Sequence, residues 1–318
     1  MSKAIILTDG KAGHENQSRA LARGLGIDET RLVPVAFKSK FAKALSYLLD
    51  NMGLRTLKLF EALPLDDLRT YAPSLVIGTG SGTFYAAKAL ARALGVKCAV
   101  NLFPRGYDIS SFDCILAPEF DNPPPRPNIV SLPVNLVASD EAFYAAGVKS
   151  FHERHTPSGK DAVAVIVGGP NKCSTMTPEW MKARLDEIFT ATPECEHWVT
   201  TSRRTPAGVE TVVDSFPFDY KLLYSREHYN PIPAFVSLAK KLYVTAESTG
   251  MLSEACTFGE AEVFALDNLN PGPHKFRRFI DGLAASGFIG SNRKADLPAR
   301  FEQARKLLRI WKIEKLNQ

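Results

Sequence analysis

The sequence predicts two doubly wound α/β domains, each Rossmann-like, with a ligand cleft between them. Three observations carry that prediction. Short apolar runs alternate with helix-period segments, as in parallel sheets covered by helices on both faces. The alternation restarts near residue 162, after a polar stretch containing Pro and Gly. Finally, several runs end in Gly-rich turns that open helices, where free backbone N–H groups and the helix dipole converge on an anion. Two such turns, Gly10-Lys11-Ala12-Gly13-His14 and Ser248-Thr249-Gly250-Met251-Leu252-Ser253-Glu254, lie one in each half. Together they suggest a phosphorylated ligand held between the halves.

In the first half, Ala4–Leu7 reads as the opening strand, with a helix over Asn16–Gly24. Leu75–Ile77 is the next clear strand, followed by a helix over Thr83–Leu94, and Lys97–Asn101 and Cys114–Ala117 are further strands. Asn122–Pro127, with four prolines, is a rigid loop. Ser150–Lys160 reads as an interdomain linker. In the second half, strands are expected at Ala162–Val167, His197–Thr200, Tyr220–Tyr224, Leu242–Thr245 and Val263–Leu266, with helices over Pro178–Phe189, Pro233–Ala239 and Gly250–Phe258. Pro298–Leu316 is an amphipathic helix pattern, including Phe301, Leu308 and Trp311, expected to pack back on the N-terminal domain. The predicted domains are residues 1–155, 156–296 and the terminal helix 297–318.

Bulk composition narrows the function. The 318 residues suffice for two full cores, and 45% hydrophobic with 23% charged content is ordinary for a globular chain. The net charge of +5 lacks the concentrated basic stripe of a nucleic-acid binder, and fits an anionic ligand or an anionic membrane surface. Five scattered cysteines without C-x-x-C spacing point to a reducing cytoplasm. The first apolar run is too short for a signal peptide or a membrane span.

The first loop runs Thr8-Asp9-Gly10-Lys11-Ala12-Gly13-His14-Glu15-Asn16-Gln17. At a sheet's carboxyl edge, the His14 imidazole could take a proton from an acceptor hydroxyl. The same residues also read as an ordinary helix start with an exposed histidine. Gly78-Thr79-Gly80-Ser81-Gly82-Thr83 places three glycines at alternate positions after a strand. They could line the acceptor side, or form a tight turn capped by Ser81 or Thr83. Gly168-Gly169-Pro170-Asn171-Lys172 offers backbone N–H groups and an ammonium to phosphate oxygens, or is simply a turn. Thr200-Thr201-Ser202-Arg203-Arg204-Thr205 reads as an anion clamp or a solvated loop. Glu254, expected with Ser253 in a helix's first turn, can accept two vicinal ribose hydroxyls or merely complement the dipole. His152 and His155 read as surface residues rather than metal ligands, and no D-x-D or Ser/His/Asp nucleophile arrangement stands in the sequence. Phe37–Leu63 mixes Lys38, Lys40, Lys43, Arg55 and Lys58 with apolar residues. It reads as a helix resting on an anionic bilayer, peripheral on the inner membrane, or as one packed on the sheet with a solvated basic face.

The joint set of Thr8–Gln17, Gly168–Asn171, Thr200–Pro206, Asn230-Pro231, Ser253-Glu254-Ala255-Cys256 and His274–Phe279 resembles the family named for plant mitochondrial fission, "elongated mitochondria", over nearly the whole chain. Its bacterial members are described as candidate glycosyltransferases of the two-Rossmann GT-B architecture. The loops are also similar to those of the peptidoglycan lipid-linked N-acetylglucosaminyltransferase. That resemblance implies a base at His14, supported by Asp9, and a ribose contact at Glu254. It puts Ser248, Thr249, Gly250 and Met251 near the phosphates and sugar, with Ser253 beside them. Gly168, Gly169, Asn171, Lys172, Ser202, Arg203 and Arg204 would complete the donor side, and Gly13, Glu15, Asn16, Gln17, Gly80, Ser81, Arg105 and Lys275 the acceptor side. Two segments depart from the pattern: Lys172-Cys173-Ser174-Thr175, and Glu247-Ser248-Thr249-Gly250 in place of Asp-Ser-Val-Ser.

The expected function is an inverting, metal-independent glycosyltransferase using a nucleotide-sugar, UDP-linked, and a lipid-linked or envelope glycan acceptor, without a cofactor. Two alternatives stay open. One is a nucleotide-sugar 2-epimerase of the same fold, and the other a non-catalytic membrane adaptor.

Overall fold

The computed structural model describes residues 2–137 and 140–310. The chain forms two compact units, Met1–Leu132 with Leu136–Ala138 and Asp296–Gln318, and Pro133–Asn135 with Ser139–Ala295. The chain thus changes unit at residues 133–139. Ser150–Lys160, read above as the linker, begins in a helix and lies inside the second unit.

Among the described residues the first unit holds six strands: β1 (Lys3–Thr8), β2 (Glu29–Pro34), β3 (Leu75–Thr79), β4 (Lys97–Asn101), β5 (Cys114–Pro118) and β6 (Ile129–Leu132). All pair in parallel, in the order β2-β1-β3-β4-β5-β6. Ala4, Ile5, Ile6 and Leu7 are at most 1% exposed, which is why β1 reads as an unbroken apolar run. Helices α1 (Ala12–Gly24), α2 (Lys40–Asn51), α3 (Leu65–Tyr71) and α4 (Phe84–Leu94) connect the strands.

The second unit begins with α5 (Glu141–His152) and carries β7 (Ala162–Ile166), α6 (Pro178–Ala191), β8 (Glu196–Thr200), α7 (Ala207–Ser215), β9 (Tyr220–Leu222), α8 (Ile232–Leu238), β10 (Lys241–Thr245), α9 (Thr249–Ala255), β11 (Glu262–Leu266) and α10 (Lys275–Ala285). Its parallel sheet runs β11-β10-β7-β8-β9. The last helix, α11 (Leu297–Leu308), returns to the first unit. Arg305 Nη1 donates to the carbonyl of Gly24 at 2.7 Å, and the Phe301 ring fills the space a Cβ on Gly24 would take. The expected helix ran on to Leu316; residues 311–318, Trp311 included, lie outside the described residues. Among the described residues no helix is long and apolar enough to cross a membrane.

His155 is not a surface residue, contrary to expectation. It contacts the Glu196 carboxylate through Nε2 and packs on Phe151, Trp198 and Tyr220.

Candidate functional site

In each sheet the connections reverse direction once, and there two neighbouring strands send their loops apart and open a crevice at the carboxyl edge. In the first sheet that point lies between β1 and β3, and in the second between β7 and β10. The two Gly-rich loops of the first half follow β1 and β3. Those of the second half follow β7 and β10.

In the first unit, Gly10 takes φ +79° and turns the chain sharply into α1. The helix starts at Ala12, four residues earlier than expected, so Gly13 and His14 sit in its first turn. This turn brings His14 Nδ1 within 3.1 and 3.2 Å of the two Asp9 carboxylate oxygens, while Lys11 Nζ lies 3.0 Å from Oδ2. Burial pushes the Asp9 carboxyl upward, but Lys11 and His14 outweigh it and hold it below its usual range. An ionised Asp9 accepts from Nδ1–H, which leaves the Nε2 lone pair as the basic site. Nε2 has no hydrogen-bond partner among the described residues.

The β3–α4 loop makes room for this pair. A Cβ on Gly80 would fall 2.3 Å from His14 Cε1, and one on Gly82 2.7 Å from Asp9 Cβ. Gly80 also takes φ +82°. Neither Ser81 nor Thr83 caps α4: Ser81 Oγ accepts from Lys43 Nζ at 3.1 Å, and Thr83 Oγ1 donates to Gly80 O at 3.1 Å. Gly80→Ala is therefore expected to cost about 1–2 kcal/mol from the left-handed backbone and to push the imidazole off Asp9. Thermal denaturation and the His14 Nδ1–H proton resonance would read both effects.

The other acceptor-side residues divide. Gln17 Oε1 accepts from Asn101 Nδ2 at 2.9 Å, and Glu15 pairs with Arg19 at 2.9 Å. Asn16 is exposed on α1, and Gly13 leaves open space over that helix's first turn. Arg105 is not drawn to the dyad; it is exposed after β4, with its guanidinium on the Asp121 carbonyl. Lys275 opens α10 in the second unit, with its ammonium 5.1 Å from the Phe276 ring centre.

In the second unit the loop after β7 is already partly bonded. Gly168 N–H donates to Thr245 Oγ1 at 2.8 Å, and Gly169 N–H to the Glu247 carboxylate. These two N–H groups are thus not open to phosphate, contrary to expectation. Asn171 Oδ1 is also engaged, accepting from Cys173 N–H at 2.8 Å. The loop after β8 folds onto the same glycines: Thr205 Oγ1 donates to Gly168 O at 2.6 Å and accepts from Ser202 N–H at 2.9 Å. A Cβ on Gly169 would strike the Arg204 backbone at 2.3 Å. Lys172, Arg203 and Arg204 are exposed, and none has an ion pair among the described residues. The loops after β7 and β8 thus offer exposed side-chain cations rather than a free Gly168 N–H.

After β10, Ser248 precedes α9, whose first residue is Thr249; Gly250 is exposed and Met251 half-buried. Ser253 and Glu254 fall in the second turn of this helix, not its first. Ser253 is closed to a ligand: it is fully buried, and its hydroxyl donates to Thr249 O at 2.6 Å and accepts from Asn135 N–H at 3.0 Å. Glu254 Oε1 accepts from the Tyr144 hydroxyl at 3.0 Å, which leaves Oε2. Burial pushes this carboxyl above its usual range, and the Tyr144 bond opposes the shift.

Sequence reasoning named Glu247 at the head of its motif but gave it no role. The residue is 3% exposed, and its carboxylate accepts from Thr245 Oγ1 at 3.0 Å and Asn268 Nδ2 at 2.8 Å. Burial raises its pKa, against those bonds and that from Gly169. Its signal was an acid placed just after a buried strand. Among the described residues no group of three metal-ligating side chains converges.

The sequence model described as mitochondrial fission ELM1 matches residues 12–318. The mitochondrial fission protein ELM1 of Arabidopsis thaliana is 21% identical over 330 residues, covering 81% of this chain and 77% of the plant protein. Among solved structures, the UDP-GlcNAc 2-epimerase of Methanocaldococcus jannaschii aligns over 98% of both chains with a TM-score of 0.53 and 14% identity. MurG of Acinetobacter baumannii aligns over 98% of this chain and 93% of its own, with a TM-score of 0.49 and 14% identity. The fold is thus the GT-B type, built of two Rossmann-like halves.

Proposed function

The chain belongs to the mitochondrial fission ELM1 family, and from that premise we propose that it is an inverting, metal-independent glycosyltransferase. It takes a nucleotide-sugar, UDP-linked, as donor and a lipid-linked or envelope glycan hydroxyl as acceptor. The observation that carries the reading is the Asp9–His14 pair at the first sheet's switch point, its Nε2 unbonded and its place cleared by Gly80. The fold, shared with a UDP-GlcNAc 2-epimerase, supports it at the level of architecture.

The proposed step is a single displacement that needs a base and groups to take the leaving charge. The acceptor oxygen forms a bond to the anomeric carbon as its proton passes to His14 Nε2. The bond from that carbon to the diphosphate oxygen breaks, and the electron pair leaves with the diphosphate. A single displacement inverts the configuration. Lys172, Arg203 and Arg204 take the developing charge in place of a metal ion, and Glu254 Oε2 holds the ribose hydroxyls.

Incubation of the chain with candidate nucleotide-sugars and lipid-linked acceptors, in EDTA, tests this reading. An inverted glycoside with release of the nucleoside diphosphate is expected. Conversion of the donor alone into an isomer would replace the reading with an epimerase. A pH dependence follows as well. Only the ionised Glu254 accepts two hydroxyls, and its carboxyl titrates above the ordinary range. Nucleotide affinity, measured by calorimetry, should therefore fall as pH drops through that raised range. Tyr144→Phe removes a bond that favours the carboxylate, and should move the fall to higher pH.

A further inference from the structure

Helix α2 carries apolar side chains on its outward side as well as its inward one. Ala42, Ser46 and Asp50 are buried, and Tyr47 and Leu49 pack against the core. Its outward face carries Phe41, 75% exposed, Leu48, 59%, and Met52, 63%, with Leu54, 50%, just beyond its end. Positions 41, 48 and 52 share one face of a helix. An amphipathic helix on a globular domain puts such a face on the core. Here a buried ion pair prevents it. Asp50 Oδ2 accepts from Lys88 Nζ at 2.6 Å and from Asp108 N–H at 2.7 Å, and Arg55 Nη1 lies 3.2 Å from Oδ1. The Lys88 ammonium also donates to Asp108 O and Ser111 Oγ, both at 2.9 Å. Turning the helix over would leave that ammonium buried without its carboxylate.

Basic residues dominate this segment. Between residues 37 and 63 they are Lys38, Lys40, Lys43, Arg55 and Lys58, against two acids, Asp50, which is buried, and Glu61, which is exposed. Lys38, Lys40 and Lys58 are exposed, and Lys40 precedes Phe41 at the start of α2. Exposed apolar side chains with an excess of lysines complement acyl chains under anionic headgroups. Lys43 ties the same helix to the catalytic loop by donating to Ser81 Oγ, one residue from the glycine packed on His14.

We propose that α2 is a membrane-docking helix. Phe41, Leu48, Met52 and Leu54 enter an anionic bilayer, Lys38, Lys40 and Lys58 sit among its headgroups, and the His14 edge is thereby presented to an acceptor resident in that bilayer. The last clause rests on the transferase reading, whereas the docking does not.

The test is co-sedimentation of the full chain, without nucleotide, with phosphatidylcholine vesicles prepared with and without phosphatidylglycerol. Binding to the anionic vesicles is expected to exceed binding to the neutral ones by about tenfold or more, and to weaken with salt. Phe41→Ser/Leu48→Ser/Met52→Ser and Lys38→Glu/Lys40→Glu should each abolish it. All five sites are exposed, so circular dichroism and Tm should match the parent. A Phe41→Trp variant should be quenched by brominated lipid, which adsorption without insertion would not produce. The proposal is overturned if the parent ignores anionic vesicles, or if the triple Ser variant binds undiminished. It is equally overturned if the parent is a dimer in solution that the triple variant dissociates, since a second copy then covers the face. Vesicle binding without any nucleotide affinity would keep the docking and remove the transferase reading.

Discussion

Replacing His14 with alanine is expected to slow sugar transfer by about two to four orders of magnitude and to leave nucleotide affinity unchanged. The residues proposed to hold the donor belong to the second unit and the proposed base to the first. Asp9→Asn separates orientation from basicity. A carboxylate accepts from Nδ1–H and keeps Nε2 as the lone-pair nitrogen, whereas an amide can donate to Nδ1 and stabilise the opposite tautomer. The asparagine variant should therefore lose most of the rate that His14→Ala loses, with an intact fold. Steady-state kinetics beside nucleotide titration would check both, and an unchanged kcat in His14→Ala would remove His14 as the base.

Replacing Glu196 with alanine should have the largest effect on stability. Its carboxylate is 2% exposed and accepts from Trp198 Nε1 at 2.7 Å, from Ser158 N–H and Oγ at 2.6 Å each, and contacts His155. Burial alone would raise its pKa, but these bonds hold it at about 2. Alanine would leave a buried indole N–H and a partly buried imidazole without an acceptor, at a cost of about 3–5 kcal/mol. That predicts a fall in Tm of roughly 6–20 °C. A depressed pKa stabilises the fold above the unfolded value and loses that contribution as pH falls through the folded one. The parent should therefore weaken between the ordinary glutamate range and about pH 2, a slope the alanine variant would lack. Calorimetric melts of both proteins across that range measure it.

Most strands were legible because parallel strands buried on both faces read as unbroken apolar runs. Leu75–Ile77 and Ala162–Ile166 are fully or nearly fully buried at every position. β2 and β6, the two edge strands of the first sheet, were not: only Val33 of the six residues of β2 is buried, and β6 is four residues long. Ser150–Lys160 was read as linker because it is polar with Pro and Gly, and the stretch takes in the last residues of α5. The periodicity of α2 was legible but its facing was not. Asp50 and Lys88 are 38 residues apart, and only the fold brings them together.

The candidate site divides in the same way. Asp9 and His14 are five residues apart on one turn, so local geometry brings them together. Gly80 and Gly82 announce themselves as glycines, but the fold supplies what they make room for. The partners of the Gly168 and Gly169 N–H groups are Thr245, at the end of β10, and Glu247 just after it, beyond the reach of local pattern.

The measurement that tests the central claim most directly is a thermal-shift screen of the full chain against UDP, GDP, CMP, dTDP and ADP and their sugars, with Glu254→Ala alongside. One nucleotide should raise the parent's stability by about 2.7 kcal/mol at a hundredfold excess over its Kd, and should leave Glu254→Ala unmoved. A parent that none of them stabilises, or a Glu254→Ala variant stabilised equally, would contradict a nucleotide-sugar site at the second sheet's switch point.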